Sequence, residues 1–317
     1  MSASSVIVAA ASEGARARII LVHGTGHGGW CWYRVATLLR AAGHRVDAPD
    51  LAASGADARR LRDAPTFEDY SRPLLESLRA LPDGERAVLV GHSFGGMSVA
   101  LAAEALPEKV AAAVFVTAFL PDCTNPRSHV IDKLTLTDWM DSVTDDGHVP
   151  PLVFLGPEFL RQKLYQLSPP EDYTLSQSLA RVSSYYAADL RGQPPFSEAR
   201  YGAVSKVYVV CRQDQAMLEA YQRAMIAGCA AVAKVREIAG ADHMAMFSGR
   251  RPSSRRTSPT LPTRTPDECL IVLRSGLASA HVGGLLPRNC LVPFTPKFYY
   301  AKRRFMSHQN VGICMEC

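Results

Sequence analysis

The sequence predicts an α/β fold, a mostly parallel central sheet with helices on both faces and a cap inserted over one end. Three observations predict it. Short apolar, β-branched runs alternate with helical patterns along most of the chain. Those runs are continuously apolar rather than alternating, the mark of parallel strands buried on both faces. The alternation then stops between about Pro121 and Gly202, in a span too long for a crossover and too apolar for a linker.

Taken in order, the expected strands are Arg18–Val22, His44–Asp47, Ala87–Val90, Val110–Thr117, Lys206–Cys211 and Lys234–Ile238. Helical patterns fall near Tyr33–Ala42, Phe67–Leu81, Gly95–Ala105 and Leu218–Ile226. Thr66 is placed to cap the second helix, with Asp69 three residues on, and Pro73 should kink it. The interrupting span, about 121–202, holds stretches such as LGPEFLRQKLYQLSPPEDYTL and reads as the cap. There are no internal repeats. Residues 1–17 read as a disordered leader, since the apolar patch Val6–Ala11 has no basic residue before it and so lacks the form of a secretory signal. Residues 18–248 form the globular domain.

Composition narrows the function. The chain of 317 residues is 47% apolar, enough for a large core, and its formal net charge is +5. That charge is unevenly placed. From Gly249 onward there are eleven Lys and Arg against three acids, whereas residues 1–248 carry 24 basic and 27 acidic side chains. A mildly acidic body gives no support to a nucleic-acid partner. No apolar run approaches the roughly 20 residues of a membrane span. A cytoplasmic location is expected. Eight cysteines are scattered; Cys314 and Cys317 make one C-x-x-C with no second pair at zinc spacing, so no metal is expected.

Two motifs carry chemistry. RIILVHGTGHGGW (Arg18–Trp30) places Gly24, Gly26 and Gly29 in a G-x-G-x-x-G after a strand, with Asp47 about 20 residues on, as a dinucleotide fold would have it. AVLVGHSFGGMSVALAAEAL is a strand, then Gly91-His92-Ser93-Phe94-Gly95, then a helix of small residues. This is the strand–turn–helix setting of a nucleophile elbow. The plainer reading is a tight turn whose serine caps the helix. A serine hydroxyl needs a base, and partners are expected in the order Ser, acid, His. Asp214, in KVYVVCRQDQAM, lies just past a strand, and His243, in KVREIAGADHMAMF, lies in a loop past the next. Alternatives stay open: Asp214 as a helix cap, His243 as a surface histidine, and Asp242 as rival acid. The histidines at 44, 129, 148, 281 and 308 lack a strand-end position. If Ser93 attacks a carbonyl, the resulting anion needs backbone N–H donors. Phe94, after the nucleophile, supplies one, and the early glycine loop supplies the other through Thr25. The glycines then build an oxyanion hole, and the dinucleotide reading, which leaves Ser93, Asp214 and His243 unexplained, is the alternative. No cofactor is expected.

With these residues in place, LVHGTGHGGWCWYRVATLLRAAGHRVDAPDLAASG, FEDYSRPLLESL, VLVGHSFGGMSVALAAE, KVAAAVFVTAFLPD, LYQLSPPEDYTL and GADHMAM together resemble the plant methylesterase and hydroxynitrile lyase family of α/β-hydrolases. The resemblance runs from about Arg18 to Ser248. It implies an esterase acting on methyl esters of small plant signals, of the methyl salicylate, methyl jasmonate or methyl indole-3-acetate type. It implies Ser93, Asp214 and His243 as triad and Thr25 and Phe94 as oxyanion donors. Trp139 resembles the family's aromatic wall of the acyl pocket, with a core tryptophan of the cap as the other reading. Lyases of the family have Thr where this chain has Gly24, Lys where it has Met244 and commonly Glu where it has His92; all three positions read as esterase. Gly24 and Met244 are thereby expected beside Trp139 at the substrate. The partner is a small-molecule ester, without nucleic acid or membrane; a homodimer is the assembly considered. A hydroxynitrile lyase and a low-turnover ligand-binding receptor of the same fold are the competing functions.

After HMAMFS the chain departs from the family, which continues into a final amphipathic helix. GRRPSSRRTSPTLPTRTP opens a basic tail, 249–317, expected to be disordered, with at most a short helix near Asp267–Ala278. The abrupt change in charge, cysteine use and periodicity is what an altered 3′ reading frame or retained intron would leave. Loss of the closing helix is expected to expose an apolar face and loosen the loop of His243.

Overall fold

A computed structural model describes residues 16–248. The leader before residue 16 and the whole tail 249–317 lie outside the described residues, and with them the expectations stated for both.

The elements are β1 (Arg18–Val22), α1 (Tyr33–Ala41), β2 (Arg45–Asp47), α2 (Phe67–Arg79), β3 (Ala87–Ser93), α3 (Gly95–Ala105), β4 (Val110–Ala118), β5 (Val143–Asp145), β6 (Leu152–Phe154), α4 (Pro170–Leu179), β7 (Lys206–Cys211), α5 (Glu219–Gly228), β8 (Val232–Ile238) and α6 (Ala245–Ser248). Six strands form one sheet in the order β2-β1-β3-β4-β7-β8, and every neighbouring pair is parallel. β5 and β6 make a separate antiparallel pair. All six main strands therefore end at the same edge, where loops rather than strands continue the chain.

Strand periodicity divides the core into two layers. Ile19, Leu21, Val88 and Val90 join Trp32, Val35 and Leu39 of the segment leading into α1 and of α1 itself. Their neighbours Ile20, Val22, Ala87 and Leu89 join Leu74 and Leu78 of α2 and Met97 and Val99 of α3 on the opposite face. Thr66 caps α2 as the sequence suggests: its hydroxyl accepts the Asp69 N–H at 3.1 Å, and the Asp69 carboxylate accepts the Thr66 N–H at 3.3 Å. α2 runs unbroken through Pro73.

α3 lies unusually close to the sheet. A Cβ on Gly96 would stand 2.2 Å from the Phe119 carbonyl oxygen, and one on Gly95 would stand 2.5 Å from that of His23. Only hydrogen fits at either place, and nearly all of α3 is buried.

Between β4 and β7 the chain leaves the sheet and lies over its carboxyl edge. Arg181 fastens it there. Its backbone N–H donates to the Gly26 carbonyl at 2.9 Å, and its guanidinium donates to the carbonyls of Gly55, Asp57 and Arg59 at 3.1, 2.6 and 2.9 Å. At the return, the buried Lys206 amine donates to the carbonyls of Tyr201 and Val204 at 2.5 and 3.0 Å. Among the described residues no helix is long and apolar enough to cross a membrane.

Because α3 is seated by glycine, Gly96→Ala should cost at least roughly 2 kcal/mol, as overpacking against rigid backbone does. Urea unfolding should show the fall as a lower midpoint at unchanged slope; an unaltered midpoint would show that α3 can slide without penalty.

Candidate active site

Ser93 closes β3 with φ of +52°, in the left-handed region that a residue with a Cβ adopts only at a cost of about 1–3 kcal/mol. The turn around it is closed by glycine. A Cβ on Gly91 would lie 2.8 Å from the Gly95 carbonyl oxygen, and one on Gly24 would lie 2.8 Å from the Cβ of Ser93 itself. β3 keeps its ladder to β4 through Ser93, paired with Ala118. The strained residue is thus held by sheet on one side and by helix α3 on the other.

Asp214 follows β7 by three residues and His243 follows β8 by five. The structure joins them: His243 Nδ1 lies 2.7 Å from Asp214 Oδ2. The same oxygen accepts the hydroxyl hydrogen of Thr117, from the end of β4, while Oδ1 accepts the N–H groups of Ala216 and Met217 at 2.8 Å each. A carboxylate can only accept, so Nδ1 of His243 carries hydrogen and Nε2 is left with its lone pair. That is the tautomer a general base requires. Asp214 does cap the turn that follows it, so the two readings of this residue are compatible.

Asp242 is occupied elsewhere. Its Oδ1 accepts the Ser248 hydroxyl and the Met244 N–H at 2.5 and 3.0 Å, and its Oδ2 accepts the Leu167 N–H and the Ser168 hydroxyl at 2.9 Å each. It ties the His243 loop to α6 and to the cap, and burial raises its pKa. Opposite, His92 Nε2 donates to the His243 carbonyl at 2.9 Å, with the two rings 4.7 Å apart. The loop carrying His243 is therefore tied down from within the described residues.

Ser93 and His243 line one small cavity of about 30 Å³ together with Gly24, Thr25, His27 and His92 from the sheet edge. Phe119, Leu136, Leu155, Phe159, Leu164, Tyr185, Ala216 and Met217 complete the wall. Thr25 and Phe94 keep their backbone N–H groups unspent on any carbonyl among the described residues. The Phe94 ring itself points into the core against Phe67, Tyr70 and Phe119. Thr25 Oγ1 and His92 Nδ1 are buried at the cavity without a partner.

Two residues expected at the substrate are not on this wall. Trp139 stacks on Phe159 at 5.4 Å and meets Tyr185 edge-on at 6.0 Å, so it backs the wall instead of forming it. Met244 is fully buried in the core layer beneath, because the turn into α6 rotates it away from the cavity that His243 faces. Gly24 is on the wall as expected. Sequence reasoning missed the cap contributors Leu136, Leu155, Phe159, Leu164 and Tyr185, together with Thr117 and His27 as hydrogen-bond partners within the site. Of these, only His27, second histidine of HGTGHGG, carried a visible signal, while His92 reads as a family position but not as a partner of the His243 loop.

Three histidines of the sheet edge around the site favour the neutral imidazole. Burial lowers the pKa of His23, His27 and His92, in the case of His27 to about 4. Among the described residues no group of three or more His, Cys, Asp or Glu is arranged to hold a metal ion.

Comparison with known proteins places the fold in a family. A family model described as the alpha/beta hydrolase family matches residues 19–253. Methylesterase 7 of Arabidopsis thaliana is 47% identical over 73% of this chain and 91% of its own length. An alpha-hydroxynitrile lyase of Arabidopsis thaliana is 44% identical over 72% of this chain and 91% of its own. The crystal structure of polyneuridine aldehyde esterase superposes with a TM-score of 0.71 at 38% identity, covering 74% of this chain and 94% of that one.

The buried histidines set a pH dependence of stability. Each has a folded-state pKa below its unfolded value of 6.5, so unfolding takes up protons on acidification. Stability should be full above about pH 6.5 and decline as pH falls toward about 4, with His27 alone contributing roughly 3 kcal/mol. Asp172 and Asp242, raised by burial, oppose this but are fewer. Urea midpoints measured across that window should fall with pH; a flat or rising profile would contradict the assignment.

Proposed function

Given that the chain belongs to the plant methylesterase and hydroxynitrile lyase family of α/β-hydrolases and is a carboxylic ester hydrolase, we propose that it hydrolyses methyl esters of small plant signalling acids through Ser93, His243 and Asp214. The observation that carries the proposal is the 2.7 Å contact between His243 Nδ1 and Asp214 Oδ2 beside the cavity that Ser93 lines. The substrate would be of the methyl salicylate, methyl jasmonate or methyl indole-3-acetate type. Cytoplasmic location and a homodimer belong to the same proposal on sequence grounds.

In this reaction His243 Nε2 takes the Ser93 proton as Oγ attacks the ester carbonyl. Asp214 holds the ring and balances the imidazolium that forms. The tetrahedral anion is met by the N–H groups of Thr25 and Phe94. Collapse expels methanol, protonated by His243, and leaves an acyl group on Ser93. Water, deprotonated by the same imidazole, then releases the acid. The wall is apolar apart from the histidines, Thr25, Ser93 and the Tyr185 hydroxyl, which suits a largely apolar acyl group. Cap side chains such as Leu136 and Tyr185 line the cavity and would bear on the acyl group. A lyase would need a cation beside departing cyanide. The residue after His243 is Met244, fully buried and uncharged.

A panel of methyl esters, monitored for methanol release, tests the reading. Hydrolysis should be found for at least one small aromatic or alicyclic ester and fall by several orders of magnitude in Ser93→Ala, with binding of the product acid retained. Turnover by Ser93→Ala at the native rate would remove the serine mechanism. Mandelonitrile should release no cyanide above the uncatalysed rate; Ser93-dependent release would move the protein to the lyase branch.

A further inference from the structure

The catalytic steps use neither His27, on the cavity wall, nor Tyr165, yet both are buried and joined to each other, with His27 Nε2 lying 2.7 Å from the Tyr165 hydroxyl. Tyr165 belongs to the cap segment LYQLS, Leu164–Ser168, which touches the loops on which all three catalytic functions depend. The Leu164 carbonyl accepts the Met244 N–H at 3.3 Å, next to His243. Gln166 Nε2 donates to the Gln213 carbonyl at 2.6 Å, next to Asp214. Leu167 and Ser168 hold Asp242, on the other side of His243. Tyr165 serves the remaining loop, the one with Thr25.

Donor chemistry fixes the direction of that link. His27 Nδ1 lies 2.9 Å from the Thr25 carbonyl oxygen, which can only accept, so Nδ1 carries the hydrogen. Nε2 then offers a lone pair, and the Tyr165 hydroxyl must donate to it. The result is a one-way chain, Tyr165 O–H to His27 Nε2 and His27 Nδ1–H to the Thr25 carbonyl. It clamps the peptide plane between Thr25 and Gly26. The plane on the other side of Thr25 is clamped in the same manner: Leu51 N–H donates to His23 Nε2 at 3.0 Å, so His23 Nδ1–H donates to the Gly24 carbonyl at 2.9 Å. Both peptide planes flanking Thr25 are thus held, and the direction of its own N–H follows from them. The His23 half of this clamp lies within the sheet edge. The His27 half comes from the cap.

We infer that Tyr165 is a positioning residue for the oxyanion hole, acting through His27 on Thr25, so that seating of the Leu164–Ser168 segment completes the hole as it ties down the loops of Asp214 and His243. This rests on the Ser93 esterase reading. Apolar packing is not the reason for the hydroxyl. The Tyr165 ring lies against His27 at 5.9 Å and Phe247 at 6.0 Å, and a phenylalanine ring would keep both contacts.

The test uses the full chain with Tyr165→Phe, His27→Asn and the double variant. Asparagine can keep a donor near the position of Nδ1 while losing the link to the cap. Three probes are read: p-nitrophenyl butyrate turnover, phenylboronic acid as a tetrahedral adduct former on Ser93, and benzoate as a ground-state ligand. In Tyr165→Phe, kcat should fall about 10- to 100-fold, less than the ~10²–10³ of losing an oxyanion donor outright, while KM stays within about twofold of native. Phenylboronic acid affinity should fall in step with kcat, and benzoate affinity should not. His27→Asn should lose at least as much activity as Tyr165→Phe, and adding Tyr165→Phe to it should change nothing further. Native kcat in Tyr165→Phe, a kcat loss without loss of boronate affinity, or additive losses in the double variant would each overturn the inference. If phenylboronic acid binds the native protein and Ser93→Ala equally, the Ser93 reading fails first and this inference with it.

Discussion

The turn at Ser93 is the constraint from which the rest of the site follows. A serine at φ of +52° is unfavourable in isolation. It persists because backbone approaches it from every side at distances no side chain would permit. Gly91 faces Gly95 across the turn, Gly24 backs Ser93, and Gly96 lets α3 settle against the chain leaving β4. Small residues along α3 extend the same close approach. Gly24 of HGTGHGG and Gly91 and Gly95 of GHSFGG therefore serve one purpose, to bring two loops together around a hydroxyl.

Parallel strands supply the remaining geometry. Every strand of the main sheet ends at one edge, so residues 93, 214 and 243, far apart in the chain, leave β3, β7 and β8 on the same side. Two acids reach that edge, and hydrogen bonding separates their roles. Asp214 faces the imidazole and is held by Thr117 and two backbone N–H groups. Asp242 spends both oxygens on loop and cap. Adjacent residues in a loop point apart, and here that leaves one carboxylate on the His243 ring and the other on loop and cap.

Much of this was legible in the sequence. Strands β1 and β7 and helix α3 stand where the apolar runs put them, and the capping box of Thr66 and Asp69 forms as its spacing implied. The expected strand Ala87–Val90 proved longer, running to Ser93, because the elbow keeps its ladder to Ala118. The cavity wall was less legible. Its cap side chains come from short irregular turns and loops, which have no periodicity to read. Trp139 was the natural choice among cap aromatics, but Phe159 and Tyr185 stand in front of it. Met244 follows His243 by one residue, and the start of a helix was enough to turn it into the core. Thr117 and His92 act through hydrogen bonds that exist only once β3, β4 and the terminal loops are side by side.

The central claim is that Ser93 is a nucleophile activated by His243 and Asp214. A fluorophosphonate reagent tests it without knowledge of the substrate, because it reacts covalently with activated serines. Peptide mass spectrometry of the labelled protein should place a single adduct on Ser93, with labelling strongly slowed in His243→Ala and reduced in Asp214→Asn. An adduct on another serine, or labelling of Ser93 at an unchanged rate in both variants, would contradict the account.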